Sequence, residues 1–173
     1  MQIVVKGSTQ QQQAFQSKNI PSNVQVYWFG TDPIPEKADV WFDLSFEEDG
    51  QAFPTIVDAP VFVNAVLTTT DKLPSNYIRI NAWNSFFERQ SIEIVAGNNK
   101  TEAHTILTTL GWAYTNVPDV PGLIAARVIA MIINEAYFAL GDEVSSKADI
   151  DTAMKLGTNY PYGPFEWCDI IGI

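Results

Sequence analysis

Two runs constrain this chain more than anything else in it: Val24–Phe29 (VQVYWF) and Val61–Val63 within PVFVNAVL. Apart from Gln25, both are continuous in β-branched and aromatic residues, without the sustained polar alternation of a strand that has one face in water. Strands of this kind are covered on both faces, as in a parallel α/β sheet. MQIVVKG supplies a first strand ending in glycine, and ADVWFDLSF and SIEIVAG supply others. STQQQQAFQS lies between the first two, and its Ser/Thr start and good helix formers predict a capped helix.

After Gly97 the texture changes. KTEAHTILTTLGW carries Ala103, Ile106, Leu107 and Leu110 on one helical face, closed by Gly111. AYTNVPDVPG reads as a connector with two prolines. Val128–Leu140 is apolar nearly all round, which marks a helix buried in a bundle or in a subunit contact. SSKADIDTAMKLG predicts a helix capped by Ser146, with Asp149 three residues on and Gly157 at its end. TNYPYGPFEWCDIIGI reads as a rigid turn followed by a short last helix. The division falls near Val117: an α/β part over 1–117 and an all-helical part over 118–173.

Ten basic residues against twenty acidic ones give a net charge of −10. That argues against nucleic acid and anionic membrane surfaces, which need a basic footprint. The single cysteine, Cys168, rules out an internal disulfide framework and fits a reducing compartment. No charged stretch followed by a long apolar one opens the sequence, so the expectation is a cytoplasmic protein without a membrane span. There is no Cys/His cluster and no G-K-[ST], which leaves no metal site and no P-loop. His104, the one histidine, reads as a helix-surface residue, and Glu47–Asp49 as a solvated acidic loop.

Asp119–Gly122 (DVPG), Arg127, Asn134–Ala136 (NEA), Ala148–Gly157 (ADIDTAMKLG) and Asn159–Trp167 (NYPYGPFEW), with Asp169 and Gly172, stand in a distinctive order and spacing. In these residues the helical part resembles the C-terminal domain of 3-hydroxyacyl-CoA dehydrogenases. It is most similar to the second copy of that domain in the long bacterial members. The resemblance implies a Rossmann-like sheet upstream, with G-x-G-x-x-G after its first strand letting backbone approach a pyrophosphate. The corresponding window is Gly7, Ser8, Thr9, Gln10, Gln11, Gln12, which keeps one glycine of three. ADVWFDLSFEED looks like the family's fourth strand, yet it follows the second strand directly, so the sheet is a reduced one. NAD is the family's cofactor; with the phosphate loop degraded and Gly7 vestigial, no cofactor is expected here.

The family segment G-x-H-F-x-N-P precedes a glutamate, twelve positions after the histidine and nine after the asparagine. Aligned on Asn84 and Glu93, the histidine position is Asn81. An amide has no basic lone pair near neutral pH, so Asn81 cannot serve as the general base that the resemblance implies at that position. The family's N-T-S-S segment becomes NAVL, keeping Asn64 and placing Val66 at the serine. Arg127 is retained, but the asparagine before it is Ala126. The resemblance thus assigns Glu93, Asn81 and Asn84 to a relic catalytic site, and Asn64 and Arg127 to the substrate side. The expected protein is 3-hydroxyacyl-CoA dehydrogenase-like, of fatty-acid metabolism, inactive in hydride transfer, with an acyl-CoA ligand or a subunit role. It is expected to form a homodimer through its C-terminal helices. Two alternatives stay open: an active NAD-dependent oxidoreductase with altered residues, and a purely structural oligomerisation module.

Overall fold

A computed structural model describes residues 1–49, 53 and 58–172. The chain forms two compact units, Met1–Leu123 and Ile124–Ile173, so residues 118–123 go with the sheet.

The first unit runs β1 (Gln2–Lys6), α1 (Thr9–Ser17), β2 (Gln25–Trp28), β3 (Val40–Asp43), α2 (Phe46–Asp49), β4 (Val61–Asn64), β5 (Tyr77–Ile80), β6 (Ser91–Val95), α3 (Lys100–Leu110) and β7 (Ala113–Asn116). One seven-stranded sheet results, in the order β2-β1-β3-β4-β5-β6-β7. All neighbours are parallel except β5 and β6, which pair antiparallel with Ile80 opposite Ile94. A doubly wound sheet has the order 3-2-1-4-5-6. Among the described residues the strand outside β2 has no counterpart, and β2 itself is the edge.

The strands form where the sequence places continuous apolar residues. β4 is buried at every position, as expected of a strand covered on both sides, and so is β3. β2 corrects the same expectation for Val24–Phe29: it lies at the sheet edge, with Gln25 exposed and Val26, Tyr27 and Trp28 only partly buried. One face packs Ile3, Val5, Phe42, Phe62, Ile78, Ile80, Ile92 and Ile94 against Phe15 of α1 and Ala103, Leu107 and Leu110 of α3. Phe15 is fully buried, with the rings of Phe42, Trp112 and Trp28 edge-on at 5.2, 5.3 and 5.9 Å. The opposite face packs Val4, Trp41, Val61, Val63 and Phe53. α1 has the expected cap: Ser8 accepts from the Gln11 amide, and the Gln11 side chain returns to the Ser8 amide. At the β2 edge, Asp32 Oδ2 accepts from the Trp28 amide at 2.8 Å.

β7 corrects the reading of AYTNVPDVPG as a connector. Its first four residues pair in parallel with β6, Ser91 opposite Ala113 and Ile94 opposite Asn116. Three of the four are exposed, so backbone pairing and not apolar content holds the strand.

The second unit consists of α4 (Ala125–Gly141), α5 (Lys147–Thr158) and α6 (Pro164–Ile171). α4 buries Ala126, Ile129, Ile133 and Ala136 and exposes Val128, Met131 and Phe138, the last two by 71% and 70%. Ser146 caps α5 by accepting from the Asp149 amide, and α5 ends at Asn159 in the left-handed region, two residues past Gly157. The turn before α6 is shaped by Asp151, whose Oδ1 accepts from the Phe165 amide at 2.8 Å. A Cβ on Gly163 would lie 2.3 Å from that oxygen, so only glycine fits. No helix among the described residues is long and apolar enough to cross a membrane.

Candidate functional site

Strand alternation decides what the β5–β6–β7 end of the sheet presents. Ile78 and Ile80 of β5 and Ile92 and Ile94 of β6 point into the core. The alternate positions carry Arg79, then Asn81 just past β5, and Ser91 and Glu93 of β6; Thr115 of β7 lies beside Glu93 in register. Because β5 and β6 are antiparallel, Asn81 and Glu93 stand opposite each other, and the Asn81 amide donates to the Glu93 carbonyl at 3.2 Å. The side chains meet as well: Asn81 Nδ2 donates to Glu93 Oε2 at 3.4 Å. Asn81 Oδ1 accepts from the Trp83 amide at 3.3 Å, which fixes the direction of the carboxamide. Asn81 is 2% exposed.

A pocket of about 180 Å³ opens beside this pair, lined by Asn81, Phe86, Arg89, Ser91, Glu93 and Thr115. It has room for several waters or a small polar group. Arg89 lays its guanidinium over the Phe86 ring at 4.5 Å, and the Ser91 and Thr115 hydroxyls are 3.2 Å apart. At the Arg89 backbone, the carbonyl accepts from Lys18 Nζ at 2.9 Å, and burial against the core pulls the Lys18 ammonium below its ordinary range. The pocket therefore offers a carboxylate, a guanidinium, two hydroxyls and an amide. It holds no imidazole: His104 is exposed on α3, with Nδ1 2.9 Å from the Tyr114 hydroxyl.

Of the residues marked in the sequence, Asn81 and Glu93 come together. Asn84 is half-buried in the turn after Asn81 and does not line the pocket. Asn64 stands behind the turn, fully buried, its Oδ1 accepting from the Ala82 amide at 2.9 Å. Arg127 is exposed in α4 of the second unit. Gly7 lies between β1 and α1.

Two further side chains, Arg79 and Glu47, brace the neighbourhood. Arg79 is fully buried. Its guanidinium donates to the carbonyls of Ala65, Val66 and Val120 at 2.9, 3.0 and 3.3 Å, and pairs with Asp119. Burial raises the Asp119 carboxyl, but hydrogen bonds from Thr70 and Arg79, with the Arg79 charge, outweigh it and hold the group below the usual carboxylate range. Glu47 corrects the reading of its acidic run as solvated: its carboxylate accepts from the amides of Val66, Leu67 and Thr68 at 2.7 to 3.1 Å. Between them, Arg79 and Glu47 hold the carbonyls of Ala65 and Val66 and the amides of Val66, Leu67 and Thr68 in the backbone that follows β4. A sequence signal existed only for Arg79, as the one charge inside YIRI.

Residues 122–173 match the family model of the 3-hydroxyacyl-CoA dehydrogenase C-terminal domain. That segment is similar to the C-terminal domain of the 3-hydroxyacyl-CoA dehydrogenases. The 3-hydroxyadipyl-CoA dehydrogenase of Escherichia coli K12 is 54% identical over 57 residues, 33% of this chain and 12% of that protein. The 3-hydroxybutyryl-CoA dehydrogenase of Clostridioides difficile is 30% identical over 112 residues, 62% of this chain and 40% of that protein. The matches thus span well under two thirds of these relatives' lengths. The crystal structure of (S)-3-hydroxybutyryl-CoA dehydrogenase from Ralstonia eutropha superposes with a TM-score of 0.68 at 16% identity, over 98% of this chain and 82% of that one. The fold of the 3-hydroxyacyl-CoA dehydrogenases, a Rossmann-like sheet followed by helices, therefore extends over the described chain, reduced at the β2 edge.

Proposed function

We propose that this 3-hydroxyacyl-CoA dehydrogenase-like chain serves fatty-acid metabolism without carrying out hydride transfer, as a binder of an acyl-CoA ester or as a subunit of a larger assembly. One observation carries the reading: the position that the family resemblance gives to the base histidine holds Asn81, locked between Glu93 and the Trp83 amide. In the family that base takes the hydroxyl proton as hydride departs. A carboxamide can hydrogen-bond a substrate oxygen but takes up no proton near neutral pH. Loss of a general base typically costs ~10²–10⁴-fold in rate. The exposed apolar residues of α4, among them Met131 and Phe138, support self-association of the helical unit into a homodimer.

The test is calorimetric titration with acetoacetyl-CoA, paired with an NADH-oxidation assay on the same ester and with light scattering. Saturable ester binding without NADH turnover supports the reading. Turnover at rates ordinary for an enzyme, on the order of 1–10³ s⁻¹, would refute it. Absence of ester binding from a dimeric protein leaves the subunit role standing alone, and a monomer that binds no ester removes both.

A further inference from the structure

Open parallel sheets take their ligands outside the carboxyl ends of the strands, where the strand order reverses. In this chain that crevice lies between β1 and β3, since β2 flanks β1 on the other side. It is filled from within. The last residues of the two strands are joined by the Lys6–Asp43 ion pair at 3.3 Å, both side chains largely buried. Gln11, 4% exposed, reaches across above them. Its Nε2 donates to the Leu44 carbonyl just beyond β3 at 2.8 Å and to Glu48 Oε1 at 2.7 Å, while its Oε1 accepts from the Ser8 amide at 2.8 Å. Gln12 folds back so that its Nε2 donates to the Gly7 carbonyl at 3.2 Å.

Gly7 makes sense in the same terms. A Cβ there would stand 3.0 Å from Gln11 Oε1 and 3.2 Å from Leu44 Cβ. The missing side chain makes room for Gln11, a part of the chain itself. The amides of Ser8 and Gln11 are both taken by the capping box, whereas a pyrophosphate at a helix N-terminus needs such amides free. Glu48 adds a negative charge where an anion would have to settle. These residues do not fit NAD.

We infer that Gln11 and Gln12 are the internal occupants of the dinucleotide crevice and that, with Glu48, they exclude the pyrophosphate of an adenine dinucleotide. This goes beyond the reading drawn from Asn81, because it concerns a different part of the sheet and holds whatever base the pocket carries.

The test is titration of the whole protein with ADP-ribose, followed by calorimetry, for the natural chain and for the Gln11→Ala/Gln12→Ala variant. Alanine keeps the helix propensity of α1 high, so the variant differs chiefly in the plug and the cap. The natural chain is expected to give no saturable heat up to millimolar ADP-ribose, and the variant a saturable isotherm. Micromolar binding by the natural chain overturns the inference. A folded variant that stays silent also overturns it, since the glutamines would then not be what excludes the ligand. If circular dichroism shows that the variant fails to fold, Gln11→Ala alone is read in its place, because it removes the side chain that spans the crevice and leaves Gln12 and Glu48 as they are. Binding there supports the inference and silence overturns it. None of these outcomes bears on acetoacetyl-CoA binding, so this inference and the proposed function fail separately.

Discussion

Asp119→Ala and Arg79→Met cut the same ion pair from opposite ends, and the structure predicts unequal costs. Removing one partner of a buried pair costs about 3–5 kcal/mol, because it strands the other charge. Asp119→Ala strands a guanidinium that is 0% exposed and keeps three carbonyl acceptors but no counter-charge. The Asp119 side chain is itself 32% exposed, so solvent already screens part of the attraction and the lower end of the range applies, about 3 kcal/mol. Arg79→Met strands a carboxylate that water can reach and that still accepts from Thr70. Val66 O keeps the Gly122 amide and Val120 O keeps the Leu123 amide, so the Ala65 carbonyl bears most of the loss. One unsatisfied buried acceptor costs about 1–3 kcal/mol, which places this variant near 2. Urea unfolding followed by tryptophan fluorescence reads both, since Trp28, Trp41, Trp83 and Trp112 lie in this unit. At an m-value of about 2 kcal/mol per molar, the midpoint should fall by about 1.5 M for Asp119→Ala and about 1 M for Arg79→Met. The reasoning is refuted if Asp119→Ala unfolds within about 0.5 M of the natural chain, or if Arg79→Met proves the more damaging.

The lowered Asp119 carboxyl sets a direction with pH. Its contribution is complete above the unfolded-state value, about pH 4, and is lost as acid carries the pH down through the lower folded-state value. The urea midpoint of the natural chain should therefore fall more steeply below about pH 4 than that of Asp119→Asn; parallel slopes would count against the pairing. Asn81→His places an imidazole beside Glu93 but leaves Gln11 in the crevice, so NADH oxidation with acetoacetyl-CoA should remain undetectable. Turnover by this single variant would show the crevice to be open. Phe138→Glu puts a charge on the exposed face of α4 and should shift the protein toward monomer in sedimentation velocity. An unchanged sedimentation coefficient would move any self-association to another face.

The core strands were legible because burial on both faces demands apolar residues at every position, and Val40–Asp43 and Val61–Asn64 nearly meet that demand in the sequence itself. β7 was not, since AYTN carries no burial signal when the strand is held by its ladder to β6, and it lies between a helix and a proline-rich stretch that reads as loop. The Asn81–Glu93 pairing was legible through the family spacing, and the antiparallel register of β5 and β6 explains why that spacing brings the two together. Arg79 and Glu47 were not legible, because their partners lie 40 and about 20 residues away, and sequence shows a charge without showing what folds against it. Gln11 was visible as bulk in a glycine position's neighbourhood, while its bridge to Leu44 and Glu48 depends on where β3 ends.

The outer side of β2, an edge among the described residues, carries a consequence for solubility. A terminal strand offers its outward amides and carbonyls as a template on which another chain can add a strand. The Gln25 and Phe29 amides point inward to Met1 and Val5 carbonyls, so by alternation the outward amides of β2 are those of Val26 and Trp28. Asp32 covers the second of these and sets a negative charge beside it. An incoming strand would meet a short ladder with one amide already taken and a carboxylate facing its own carbonyls. A sheet that ends where another strand usually continues is thereby kept from recruiting a replacement from its neighbours.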